Sequence, residues 1–333
     1  MKKTGIRQSN IELLRILSMM MVLAVHFDGA ALGLPLPVGL GSTDAAWWWR
    51  TSVETLSIVG VNCFTLISGY FGIRASVRGL LTFVTQCVFY SVAMYSVCAL
   101  CGVVSFSFAA WGESWLALTH TDLWYVPAYL CLYLLSPFIN AGMERLSDRQ
   151  LLMWTGIFVL VNLYAGWWWG ASFNPNGYTV VQLVMMYCVG AAVRRMLSGV
   201  PSGVGWSLYL GASAFTAVAA AYMAPLKVYA YNSPLVIVAS VGLLLAFAGM
   251  RFRSGFINYV ARSSFAVYLI HKNKLIWVSM VKPMAIAAWG AGSLWIATGS
   301  MLAFIAVTFA VAVAADYVRR GVCLPMLGAL FGK

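Results

Sequence analysis

The chain has 333 residues, of which 62% are hydrophobic and 9% carry a charge, and its mean hydropathy is +0.85. These values exclude a soluble enzyme, a DNA-binding protein and a receptor with a large folded ectodomain, because too little polar surface remains to solvate such domains. Lys and Arg number 21 against 9 Asp and Glu, which gives a net charge of +12. In a membrane protein such an excess is a topology signal.

Apolar segments recur along the whole chain between clusters of charge, proline or glycine. Since a transmembrane helix needs about 20 apolar residues, we predict an all-α, polytopic membrane protein of about ten transmembrane helices. The segments are 11–31, 52–73, 80–103, 123–142, 150–170, 178–194, 205–224, 233–250, 263–282 and 293–315.

Basic residues are distributed unevenly between the two sides of the membrane that ten helices define. One side receives Arg50, Lys227 and Lys282. By the positive-inside rule the other side is cytoplasmic, and we predict that both termini lie there. The basic residues assigned to this side are Lys2, Lys3, Arg7, Arg74, Arg78, Arg145, Arg149, Arg194, Arg195, Arg251, Arg253, Arg262, Arg319, Arg320 and Lys333.

The first apolar segment carries ionisable side chains, whose insertion into a membrane costs free energy. A charged side chain at mid-helix costs about 2.5–3.5 kcal/mol, so Glu12, Arg15 and His26 are candidates for function. Arg15 and His26 share one face, because 11 residues make three helical turns plus about 20° and rise about 16 Å. Two structural interpretations remain open: Arg15 as an anchor paired with Glu12, and His26 as a hydrogen-bond partner of a neighbouring helix.

The chemistry of these two side chains indicates a binding site for a long phosphorylated carrier. An arginine binds phosphate without losing its charge, and an imidazole is suited to removing a proton from a hydroxyl. A nearby carboxylate could orient the imidazole. We favour Glu54 over Asp28, because Asp28 follows His26 by two positions and so points to another side of the helix. Glu54 has the alternative role of a surface carboxylate near Arg50.

Two later segments carry side chains that could bind a sugar or a nucleotide base. In one of them tyrosines recur every four residues and form an aromatic face, for which plain helix packing is the alternative. The aromatic residues are Trp124, Tyr125, Tyr129 and Tyr133. The other segment is unusually polar at His271, Lys272 and Lys274, which indicates either a water-filled cavity or a misplaced helix boundary.

Four motifs stand in order along the chain: RQSNIELLRILSMMMVLAVHF at 7–27, LISGY at 66–70, LWYVPAYLCLYLLSPFIN at 123–140 and SSFAVYLIH at 263–271. Together they resemble the membrane-bound acyltransferase-3 family, whose first helix bears an arginine followed by ten residues and a histidine. Four matches in the right order cover nearly the whole chain, so the resemblance is specific.

The resemblance implies a single transmembrane acyltransferase domain over residues 1–333, without the soluble C-terminal domain that many relatives carry. It implies a multi-pass O-acyltransferase of the bacterial inner membrane, most often an O-acetyltransferase. Its donor would be cytoplasmic acyl-CoA, usually acetyl-CoA, and its acceptor a cell-envelope glycan or a lipid-linked sugar. Membrane lipids are its other partners, and neither a metal nor nucleic acid is expected.

The resemblance also implies roles for individual residues. His26 corresponds to the family's catalytic histidine, and Arg15 to its helix-1 arginine. Arg74 and Arg78 correspond to a cytoplasmic arginine pair that binds the phosphates of CoA, although three residues separate them here in place of the family's two. We assign Glu54 to the catalytic group as well. The residues assigned to acceptor binding are Trp124, Tyr125, Tyr129, Tyr133 and His271. The alternative function is a polysaccharide or lipid transporter without acyl chemistry.

Overall fold

The computed structural model describes residues 8–119, 123–170 and 172–331, and within these ranges all regular elements are helical. The prediction of an all-α protein is confirmed. The α-helices are α1 (Ser9–Val25), α2 (Ala45–Ser57), α3 (Gly60–Phe71), α4 (Val77–Leu100), α5 (Phe108–Ser114), α6 (Tyr125–Arg145), α7 (Asp148–Val161), α8 (Val180–Met196), α9 (Ser202–Ala220), α10 (Pro225–Val228), α11 (Pro234–Ala248), α12 (Gly255–Ala261), α13 (Ser264–His271), α14 (Lys274–Ile276), α15 (Lys282–Gly290) and α16 (Leu294–Phe331).

Three π-helical turns and a short 3₁₀ turn complete the helical structure of the described residues. The π turns are His26–Ala30, Asn162–Trp168 and Trp277–Val281, and the 3₁₀ turn is Pro175–Gly177. A π turn holds one residue more per hydrogen-bonded ring than an α-helix and occurs frequently at functional sites. The first of these turns begins at the histidine that the sequence identifies as the candidate base.

Seven helical stretches of the described chain are long and apolar enough to cross a membrane, and they support a multi-pass membrane protein. The predicted count of ten is not confirmed. Segment 178–194 forms α8, which has 17 residues, and segment 233–250 forms α11, which has 15. The seven stretches are Ser9–Ala30, Ala45–Phe71, Val77–Leu100, Tyr125–Arg145, Asp148–Trp168, Ser202–Ala220 and Leu294–Cys323.

The ninth predicted segment, 263–282, is interrupted. It forms α13, a break at Lys272–Asn273, the single turn of α14 and a π turn, and α15 begins at its last residue. The cytoplasmic location of both termini stays a prediction. Of the basic residues on which it rests, Lys2, Lys3, Arg7 and Lys333 lie outside the described residues.

The described residues form two compact units, each assembled from separate stretches of the chain. The single domain expected from the sequence therefore has two units in the structure. The first unit comprises Leu34–Ile73, Ile139–Arg262 and the residues up to Val25, and the second comprises His26–Gly33, Arg74–Phe138 and the residues from Ser263 onward.

In the first unit, α3 and α8 approach each other through small residues. A Cβ at Gly69 would lie 2.0 Å from the carbonyl oxygen of Tyr187, and one at Gly190 would lie 2.3 Å from the carbonyl oxygen of Leu66. Only glycine permits this backbone contact, which is a common mode of packing between membrane helices.

A buried network of amide side chains also stabilises the first unit. Asn162 donates to Gln182 at 3.0 Å, and Asn174 donates to the side-chain oxygen of Asn162 at 2.8 Å. Gln182 in turn donates to Asn62 at 3.2 Å, and Asn232 donates to the backbone of Asn174 at 2.9 Å. Because buried amides are costly unless they are paired, this network fixes the loop before α8 to the helices around it.

Candidate functional site

Two histidines are hydrogen-bonded to each other in the second unit. Nδ1 of His26, at the start of the first π turn, lies 2.8 Å from Nε2 of His271, the last residue of α13. Nδ1 of His271 lies 2.6 Å from the carbonyl oxygen of Val267, one helical turn earlier. His271 is 1% exposed, whereas His26 is half-buried. The ring of His26 is therefore held at one nitrogen and partly accessible.

Aromatic rings enclose the histidine pair. Trp277 meets the ring of His26 edge-on at a centroid distance of 6.0 Å, and Tyr268 and Phe304 flank His271 at 6.0 and 6.4 Å. The ammonium of Lys272 lies 3.8 Å from the centre of the Trp277 ring, in a cation–π contact. Such a contact is worth about 0.5–2 kcal/mol. It holds the lysine against Trp277, the ring that also contacts His26.

The break after His271 lines a cavity of about 620 Å³ in the second unit. The segment lines a cavity, and the helix ends earlier than the hydropathy pattern predicts. Several polar or aromatic residues line the cavity, among them Tyr90, Tyr95, Glu113, Lys272, Asn273 and Lys274. The two lysines of this set were recognised in the sequence as unusual, whereas Tyr90, Tyr95 and Glu113 lie far away along the chain and were missed.

A buried carboxylate connects three elements of the second unit. Asp316 is fully buried and forms ion pairs with Arg319 at 2.7 Å and Arg320 at 3.1 Å. It also accepts hydrogen bonds from the hydroxyls of Tyr90 at 3.2 Å and Ser263 at 3.0 Å. The tenth predicted segment ends at 315, but α16 continues to Phe331 and both guanidiniums pair within it. Their cytoplasmic location stays a prediction.

The predicted phosphate-binding pair, Arg74 and Arg78, also belongs to the second unit and is exposed. Arg74 lies in the loop before α4, and Arg78 lies in the first turn of that helix, which Ser76 caps. The hydroxyl of Tyr133 accepts from the amide of Ser76 at 3.0 Å and donates to its carbonyl at 3.1 Å. Tyr133 therefore anchors the arginine-bearing loop to α6.

The other aromatic residues of the predicted face pack against helices of the same unit. Tyr125 and Tyr129 stack at 5.7 Å, and Tyr125 meets Tyr268 of α13 edge-on at 6.2 Å. Phe83 of α4 contacts Tyr129 at 5.7 Å, and Trp124 contacts Tyr125 at 5.7 Å. Helix packing thus accounts for these contacts, and the binding of an acceptor by these rings stays a prediction.

Arg15 and Glu54 belong to the first unit. Arg15 forms an ion pair with Glu12 at 3.6 Å, and about a third of its side chain is exposed. Glu54 of α2 is fully buried, so it is not the surface carboxylate that we considered as its alternative role. The Nδ1 partner of His26 is His271. The proposed roles of Arg15 and Glu54 stay predictions.

The first unit has a second cavity, of about 520 Å³, that the sequence did not predict. Asn10, Tyr70, Arg251 and Arg253 are among its lining residues. In the sequence, Arg251 and Arg253 served only as two of the basic residues that predict the cytoplasmic side. No sequence pattern connects them to Tyr70, which lies about 180 positions away along the chain.

Comparison with known proteins identifies a family. A model of the acyltransferase-3 family, described as an acyltransferase domain, matches residues 8–316 and so covers nearly the whole chain. This match confirms the resemblance found in the four motifs, and it includes both histidines of the hydrogen-bonded pair. No curated protein and no solved structure matches the chain.

Proposed function

Since the chain belongs to the acyltransferase-3 family, we propose that it is a membrane O-acyltransferase of the bacterial inner membrane. It moves an acyl group, in the first instance acetyl, from cytoplasmic acyl-CoA to a hydroxyl of a cell-envelope glycan or its lipid-linked precursor. One observation carries this proposal: the partly accessible imidazole of His26 is hydrogen-bonded at Nδ1 and has no hydrogen-bond partner at Nε2 within the described residues.

In the proposed reaction His26 acts as the general base. Its free nitrogen takes the proton from the acceptor hydroxyl while the oxygen attacks the thioester carbonyl of acyl-CoA. The C–S bond then breaks, the new ester forms, and the departing thiolate receives the proton from the imidazolium. The net reaction produces an O-acyl ester and free CoA, without a covalent acyl-enzyme.

The donor site is proposed at Arg74 and Arg78, with Arg15 as a further phosphate-binding residue. Both side chains of the pair are exposed, and neither forms an ion pair within the described residues. They therefore need not give up an existing partner in order to bind a phosphate. Guanidinium groups suit this task because they present several donors in a fixed plane.

The acceptor site is proposed at the cavity of the second unit. Hydroxyl, carboxylate, amide and ammonium groups line it, together with the rings of Tyr90 and Tyr95. Sugars are bound by this mixture of polar groups and aromatic faces. The predicted acceptor-binding residues Trp124 and Tyr125 directly follow Leu123, which lines the same cavity.

Acyl transfer is tested in membranes that contain the wild-type protein or His26→Ala. Radiolabelled acetyl-CoA is supplied, and both the label on envelope glycan and the release of free CoA are measured. We expect His26→Ala to lower the rate by about 10²–10⁴-fold, the usual contribution of a general base. The amount of each protein in the membrane and its elution in detergent serve as controls for folding.

Two results would contradict the proposal. Equal labelling by both proteins would remove His26 from the chemistry. Absence of labelling and of CoA release with several acyl-CoAs would instead favour the transporter, which needs no thioester.

A further inference from the structure

His271 has hydrogen-bond partners at both ring nitrogens, and we infer that it is a positioning residue that fixes the tautomer of His26. This inference rests on the proposed function, because it specifies which nitrogen of His26 serves as the base. It also gives His271 a role in positioning the base, whereas the sequence had led us to expect a role in acceptor binding.

The direction of the two hydrogen bonds follows from the carbonyl of Val267. A carbonyl oxygen only accepts, so Nδ1 of His271, at 2.6 Å, carries the hydrogen. In a neutral imidazole the other nitrogen is then an acceptor. Nε2 of His271 therefore accepts from Nδ1 of His26, at 2.8 Å. The hydrogen of a neutral His26 is thus placed on Nδ1, and its lone pair on Nε2.

The burial of His271 keeps its ring neutral. The side chain is 1% exposed, and no carboxylate contacts the ring within the described residues. A positive charge on this ring would be desolvated without a contacting anion to compensate it. The alternative arrangement, in which a doubly protonated His271 donates to His26, is thereby disfavoured.

The packing of His271 prevents its ring from turning away. Its Nδ1–H is bound to the carbonyl one turn earlier in α13, and Tyr268 and Phe304 contact its ring. Val267, which supplies that carbonyl, is itself fully buried. The acceptor nitrogen is therefore presented to His26 in one orientation.

This arrangement serves the proposed reaction in two ways. It holds the lone pair of His26 on Nε2, the nitrogen directed away from His271, so that the acceptor hydroxyl is bound there. It also stabilises the imidazolium that forms when His26 takes the proton, because the Nδ1–H remains paired with a neutral acceptor. A buried carboxylate performs the same positioning task in serine hydrolases, where loss of the correct tautomer costs about 10⁴-fold in rate.

Substitutions of His271 separate positioning from packing. In His271→Gln the side-chain carbonyl oxygen can take the place of Nε2 and accept from His26. His271→Asn is too short to reach His26, and His271→Phe fills the space but accepts nothing. We expect kcat to stay within about tenfold of wild type for Gln and to fall by about 10²-fold or more for Asn and Phe. KM for acetyl-CoA should stay unchanged in all three, since donor binding is not affected.

The tautomer itself is measured by nitrogen-15 NMR of the histidine-labelled, full-length protein in lipid. The chain contains 3 histidines, and the spectrum of His26→Gln identifies the signals of His26 by difference. We expect wild-type His26 to be protonated at Nδ1 and unprotonated at Nε2, and His271→Phe to move the proton of His26 to Nε2.

Two outcomes would overturn the inference: a wild-type His26 protonated at Nε2, or a His271→Phe protein with unchanged kcat. The spectra of wild type and His26→Gln can be recorded without any acyl transfer. Failure of the proposed function, seen as absence of CoA release from wild type, is therefore distinguishable from failure of this inference.

Discussion

The hydroxyl of Tyr133 can reach Ser76 because Gly79 has no side chain. A Cβ at Gly79 would lie 2.3 Å from that hydroxyl oxygen. The contact joins α6 to the N-terminus of α4 and fixes the loop between Arg74 and Arg78. Tyr133 therefore affects the proposed donor site indirectly, through the backbone that carries the two arginines.

Tyr133→Phe should weaken donor binding without changing the chemical step. The substitution removes both hydrogen bonds to Ser76 and leaves the ring in place. We expect KM for acetyl-CoA to rise about fivefold, which corresponds to about 1 kcal/mol, with kcat unchanged. Tyr222→Phe, the same change at an exposed tyrosine of the first unit, is the matched control. Unchanged KM in Tyr133→Phe would show that the loop needs no anchor.

Loss of Arg74 and Arg78 should weaken donor binding more strongly. Each guanidinium supplies charge-assisted hydrogen bonds, worth about 1.5–3 kcal/mol, to a phosphate. We expect each alanine substitution to raise KM for acetyl-CoA about tenfold or more, and the effect to diminish at high salt. Steady-state kinetics of CoA release provide the measurement.

Arg145→Ala and Arg149→Ala are suitable controls for that experiment. The two residues have the same separation along the chain as Arg74 and Arg78, and both are exposed. A similar rise in KM in the control pair would indicate a general effect of positive charge on the binding of CoA, with no site at Arg74 and Arg78.

Asp316→Asn should strongly destabilise the second unit. The amide cannot compensate the charges of Arg319 and Arg320, and breaking a buried pair in this way costs about 3–5 kcal/mol. Thermal unfolding in detergent should show a clearly lower midpoint. In Asp148→Asn the same change affects an ion pair with Arg195 whose carboxylate is 64% exposed, so a cost of only about 0–1 kcal/mol is expected. Equal midpoints for the two variants would contradict this account.

Gly69→Ala tests the close approach of α3 and α8. The added methyl group would meet the backbone of Tyr187, which cannot move aside as a flexible side chain can. We expect a loss of at least about 1–3 kcal/mol in the free energy of unfolding. At Gly156 of α7 a Cβ would have nothing within 4 Å, and Gly156→Ala should be neutral or stabilising. A stable Gly69→Ala protein would mean that the helices can separate without cost.

The sequence allowed the helical class, most of the long apolar helices and the candidate base to be predicted. These features depend on local patterns, namely runs of about 20 apolar residues and an ionisable group within one of them. The same reasoning ended the tenth segment at 315, whereas α16 continues to Phe331 and contains Arg319 and Arg320. Asp316 precedes them by three and four positions, the spacing of ion pairs within a helix, and this signal favoured a longer helix.

The partner of His26 could not be predicted, because it lies 245 positions away along the chain. We had looked for an acid that could orient the imidazole, and we chose Glu54 because Asp28 points to another side of the helix. The polarity of the segment around His271, Lys272 and Lys274 did indicate its importance. That polarity did not indicate which side chain contacts His26. The contact depends on where α13 ends and on the turn that follows the helix.

The π turn from His26 to Ala30 follows α1 without a break, so the helix continues into a turn with one more residue in each hydrogen-bonded ring. In a helix each added residue turns the side chain of the next residue by about 100° about the axis. His26 is the first residue of the turn, so the directions of the side chains after it depend on how many residues the turn contains as well as on which ones they are. Removing Gly29 from this turn would keep the imidazole of His26 and the carboxyl group of Asp28 and still rotate the residues that follow.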